Sequence, residues 1–166
     1  MEFHRMDSLF EILNQEALIY EDILKISRDK TDIIIKGKVN ELENITKLEQ
    51  SLIVKMGKLE ILRESLIEEI SQELDIKESN ATVSLIAQHL DKDTSTKLYE
   101  YKSKMENLLA ELKDINELNS KLLQNSIDYI DFSLNVLSSA SESDNNYGHE
   151  GQISEGKKKT FFDVKL

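Results

Sequence analysis

Apolar residues recur along most of this chain at intervals of three and four, the spacing that aligns side chains on one face of an α-helix. Leu9, Ile12, Leu13, Ala17, Tyr20, Ile23 and Leu24 form the first stripe, which runs into Ile33, Ile34 and Ile35. Ser8 followed by Glu11 has capping-box spacing and predicts the start of this helix. Lys36 and Gly37 predict its end, with a cation in the last turn and a glycine just past it. Asn40 with Glu43 predicts the next start, after which Leu42, Ile45, Glu49, Leu52, Met56, Leu59, Arg63, Leu66 and Ile70 continue the three-and-four spacing. That is a coiled-coil-like seam interrupted by two opposite charges, Glu49 and Arg63. Gly57 falls inside it and predicts a close approach by another helix.

The residues 73–80 are polar and aperiodic and predict a loop. Thr82 is placed to cap a short amphipathic segment containing Val83, Leu85, Ile86 and Leu90. After an interruption at 91–95, Asp93 is the expected cap of the last helix. Its stripe is Leu98, Tyr101, Met105, Leu108, Leu112, Ile115, Asn119, Leu122, Ile127, Ile130, Leu134 and Leu137. In it, Asn119 reads as a polar seam residue that fixes helix register. Proline is absent, and only Gly37 and Gly57 precede Ser138, against about 5% proline and 7% glycine in an average domain. Nothing therefore breaks these helices, and the small polar run from Ser139 on predicts their end. The expectation is an all-α fold: an elongated antiparallel bundle of three long helices plus one short helix over residues 1–138, then a flexible tail over 139–166.

Composition narrows the function. The 166 residues carry 21 basic and 32 acidic side chains, a net charge of −11. Such a field opposes nucleic acid and anionic lipid, which are bound through Lys and Arg, and favours protein partners. With no cysteine there is no disulfide or thiolate metal site. No stretch approaches the roughly 18 apolar residues of a membrane span, and no signal-peptide-like run opens the chain, so a cytoplasmic protein is expected. A di-iron bundle needs Glu-x-x-His pairs, but position 86, three residues before His89, is Ile86. No phosphate loop or nucleophile turn occurs. The expectation is a non-enzymatic protein without cofactor or metal.

Binding then falls to surfaces. The last helix outruns the others, so its final apolar positions, Leu122, Leu123, Ile127, Ile130, Leu134 and Leu137, are expected to lack an internal partner and to receive a foreign helix. In the tail, Tyr147, Gly148 and Gly151 form a Tyr-Gly-x-x-Gly element whose single aromatic suits a short docking motif. Phe161 and Phe162 begin a hydrophobic hexapeptide, either a docking peptide or a segment that packs back.

The whole layout resembles the FlgN-type flagellar export chaperones, type III secretion chaperones for the hook–filament junction proteins. The likeness is carried by the opening helix, the turn from Lys36 to Leu42, Leu59-Glu60-x-x-Arg63, Asn116-x-x-Asn119-x-x-Leu122-Leu123, Tyr147-Gly-x-x-Gly151 and Phe162-Asp163-Val164-Lys165. It implies a protein that holds the C-terminal helical regions of hook-associated proteins unassembled on its own C-terminal part, which maps onto 122–137. It further implies delivery to the membrane export gate, whose cytoplasmic domain would be met by Tyr147, Gly148 and Gly151. Lys157, Lys158 and Lys159, and the terminal Leu166, depart from the commoner pattern. The competing expectation is a structural coiled-coil scaffold that self-associates through the same stripe.

Overall fold

A computed structural model describes residues 2–76 and 82–144. Among these residues the chain is all-α, with no strand: α1 (Glu2–Ile35), α2 (Val39–Glu73), the short α3 (Val83–Ala87) and α4 (Lys92–Asp144). The chain divides into two compact units, Met1–Ser126 and Ile127–Leu166. The first holds α1, α2, α3 and most of α4; the described part of the second is the end of α4.

The connections follow from local chemistry. Gly37 takes φ +64°, a left-handed conformation open to glycine at little steric cost. Its amide donates to the Ile34 carbonyl at 3.0 Å and the Lys38 amide to that of Ile33 at 3.1 Å, the paired bonds of a Schellman cap. The same geometry closes α2 with Asp75 as the left-handed residue at φ 53°. There the Ile76 amide reaches the Ser71 carbonyl at 2.9 Å. Thr82 caps α3 as expected, its hydroxyl oxygen accepting the Leu85 amide at 3.2 Å.

Four expected boundaries moved. α1 begins by Glu2, not at Ser8, because nothing in the first residues breaks a helix and burial of Met6 beside Leu9 and Phe10 extends it. The Ser8 hydroxyl instead donates back to the His4 carbonyl. α2 opens at Val39 straight after the Gly37 cap, without a side-chain cap from Asn40. Asp91, not Asp93, caps α4, its Oδ1 accepting the amides of Asp93 and Thr94 at 3.0 Å each. Those are the second and third helical residues, the ones an N-cap carboxylate reaches. Hydrogen bonding from Thr94, side chain first and amide second, lowers the Asp91 carboxyl below its ordinary range. At the other end, α4 runs to Asp144, past the expected stop at Ser138, since the serine-rich run contains neither glycine nor proline.

Within the first unit the long helices run up, down and up. Phe10, Glu21 and Ser27 of α1 meet Tyr101, Lys104 and Asn119 of α4 in rising order, so these two helices are parallel. The α1–α2 partners run in opposite order: Arg5 with Glu69 and Glu73, Glu16 with Arg63, and Lys30 with Glu49. The apolar core is gathered at the end bearing the α2–α3–α4 connections. Met6, Leu9, Phe10 and Leu13 pack there with Ile67, Ile70, Ile86, Ala87 and Leu98.

Away from that core, polar pairs fix the register. Glu49 and Arg63, the two charges interrupting the α2 seam, meet Lys30 and Glu16 of α1. Each helix carries an acid followed about four turns later by a base, so antiparallel pairing sets each acid against a base. Sliding or reversing one helix would oppose like charges or strand them unpaired, which is costly where they are desolvated. Asn119 acts likewise between α4 and α1. It is 4% exposed, donates from Nδ2 to the Ser27 carbonyl at 2.8 Å, and accepts the Thr31 hydroxyl at 2.6 Å.

Gly57 corrects an expectation. No helix approaches it; a Cβ added there would have nothing within 4 Å. Gly57→Ala should therefore raise stability by about 1 kcal/mol, the difference in helix propensity. Urea denaturation followed by circular dichroism will show a higher midpoint, whereas a lower one would reveal a contact that needs glycine.

Candidate protein-binding surface

The exposed apolar residues of α4 are concentrated at its end. Ile127 (51% exposed), Ile130 (55%), Leu134 (46%) and Leu137 (66%) step by three and four and share one helix face. Helices of a globular domain bury such a face; a continuous exposed one marks an interaction site. Of the six residues expected to take cargo, these four stand open, while Leu122 and Leu123 in the first unit are half-buried. Tyr147, Gly148 and Gly151, together with Phe161 and Phe162, lie outside the described residues.

At this end of α4 three further exposed apolar residues escaped the sequence reading: Tyr129, Phe132 and Val136. They also step by three and four, but on another face. Following one stripe from Leu98 onward passes over them; plotting all apolar residues of 124–144 on a wheel would have found them. The composition of this stretch is one-sided. Between Gln124 and Asp144 there are four acidic residues, Asp128, Asp131, Glu142 and Asp144, and no lysine or arginine.

The arrangement is suited to binding. Among the described residues no group of three or more His, Cys, Asp or Glu is placed to hold a metal ion. His89 uses a ring nitrogen, Nδ1, on the Leu85 carbonyl of its own helix at 3.0 Å. No described helix is long and apolar enough to cross a membrane.

The sequence model of the FlgN protein family matches residues 1–155. The chain belongs to the FlgN family. This is a family of flagellar export chaperones, in keeping with an all-helical molecule that exposes an apolar helix face. One similar protein is the uncharacterized protein YvyG of Bacillus subtilis (strain 168). It is 28% identical over 162 residues, covering 95% of this chain and 97% of that protein. No solved structure matches this FlgN family member.

Proposed function

We propose that this chain is a cytoplasmic, non-enzymatic export chaperone that receives the C-terminal helical region of hook-associated (hook–filament junction) proteins on the end of α4. It would keep them unassembled and deliver them to the export gate. The observation that carries this reading is the exposed stripe Ile127, Ile130, Leu134 and Leu137 in a member of a chaperone family. Leu122 and Leu123 would extend the contact once the cargo helix is seated. Burying four or five aliphatic side chains is worth about 1.5–3 kcal/mol each. Association and ordering consume several of those kcal/mol. Moderate affinity follows, as a carrier that must release its cargo requires.

In the same reading Tyr147, Gly148 and Gly151 dock to the cytoplasmic domain of the export gate. Tyr147→Ala is expected to reduce capture of that domain at least about tenfold, the scale of losing one aromatic anchor, and to leave cargo affinity unchanged. Equal loss of both in a two-ligand titration would show that the two tasks are not divided.

An exposed stripe also favours a second reading, a scaffold that assembles with copies of itself. Light scattering with and without a cargo C-terminal peptide separates the two. A stoichiometric chaperone–peptide complex is expected, and a tight oligomer indifferent to the peptide would refute the chaperone reading.

A further inference from the structure

The two exposed apolar faces at the end of α4 differ in direction. At 3.6 residues per turn, the centre of the Tyr129, Phe132 and Val136 stripe lies about 150° around the helix from that of Ile127, Ile130, Leu134 and Leu137. Each residue of the first set is itself open, at 72%, 65% and 50%. Of the two gaps between the stripes, one holds Ser126, Ser133 and Ala140 and the other Asp128, Asp131, Asn135, Ser138 and Ser139. The two stripes and the first gap together cover about 220° of the surface, roughly twice the stripe by which a helix meets one neighbour. A single helix seated on one stripe would leave the other in water.

We infer that the end of α4 is clasped from two sides by a pair of helical segments from one partner, and that the flanks of those segments are basic. This rests on the chaperone reading above and defines what its ligand must look like. The charge argues for the occupant. With four carboxylates and no lysine or arginine over 124–144, a second copy of this stretch would bring acid against acid. A partner with Lys and Arg beside its apolar positions meets both the acidic strip and the two stripes.

Calorimetry on the full-length chain tests this, with the C-terminal helical region of a hook-associated protein offered whole and as separate single-helix peptides. Two variants alter exposed positions and so retain the fold, which circular dichroism checks: Tyr129→Ser with Phe132→Ser, and Ile130→Ser with Leu134→Ser. Each pair is expected to weaken the whole region about 100-fold, the scale of losing two interface anchors. A single-helix peptide should respond to one pair only. Raising salt from 50 to 500 mM should weaken the whole region about tenfold or more, because exposed charge pairs are screened.

If only the Ile130 and Leu134 pair matters, the two-sided clasp is overturned while the chaperone reading stands. If neither pair matters, both fall. Indifference to salt overturns the basic partner. A cargo-free dimer in sedimentation that dissolves with Tyr129→Ser and Phe132→Ser would assign the second face to another copy. Faster amide exchange at 129–136 on Phe161→Ser with Phe162→Ser, without cargo, would assign it to the chain's own end. Either result overturns the clasp.

Discussion

Arg63→Met is expected to destabilise the folded chain by about 3–5 kcal/mol at neutral pH, the scale of stranding a buried charge. Its partner Glu16 is 1% exposed; Oε1 accepts the Arg63 guanidinium at 3.0 Å. Oε2 is buried with no hydrogen-bond partner among the described residues. The guanidinium is thus the main compensation for a desolvated carboxylate. Removal from the other side is cheaper. Arg63 keeps 26% of its side chain in contact with solvent and lies 3.9 Å from Glu60. Glu16→Gln should change stability by no more than about 1 kcal/mol, since a neutral amide carries no charge-burial penalty.

The pH dependence has a definite sign. Burial, the largest influence, raises the Glu16 carboxyl above its ordinary value of 4.5, and Arg63 opposes it. With the folded value above the unfolded one, the native state holds the proton more tightly. The stability this group contributes is full below the unfolded value and is lost as pH rises through the folded one. Arg63→Met removes the opposing cation and raises the carboxyl further. Its penalty should accordingly shrink between pH 7 and pH 5, and Glu16→Gln should flatten that slope. Urea denaturation at the two pH values measures both; a penalty for Arg63→Met that does not change with pH would contradict this account of Glu16.

Leu134→Asp is expected to weaken cargo binding at least about 100-fold, because the new carboxylate would be desolvated without a partner at the centre of an apolar contact. Leu134 is 46% exposed in the free chain, so helicity by circular dichroism should stay at the wild-type level. Loss of helicity along with binding would place Leu134 in the chain's own core.

Much of this fold was legible because its punctuation is local. Gly37 ends α1 through its own backbone geometry, and Thr82 caps α3 with its own hydroxyl. The sequence marked Glu49 and Arg63 as charges in a seam, and their partners Glu16 and Lys30 continue the three-and-four spacing of α1 through Leu13, Tyr20, Ser27 and Ile34. Following only the apolar members of that stripe passes over them. The boundaries that moved answer to wider context. Burial of Met6 lengthens α1 beyond the cap expected at Ser8, and α4 starts before the expected cap Asp93, with Asp91 taking that role. Gly57 misled because a glycine tolerated for want of pressure looks the same in sequence as one required by contact. At the end of α4, the stripe through Ile127 and Leu134 was readable from spacing. The second face was lost to the assumption that a helix has only one.

The exposed end of α4 as the cargo surface is tested most directly by amide hydrogen exchange of the full-length chain with and without the C-terminal region of a hook-associated protein. Slower exchange confined to 122–137 on adding cargo, with the amides of α1 and α2 unchanged, is the expected result. Unchanged exchange over 122–137 with new protection on α1 and α2 would contradict it.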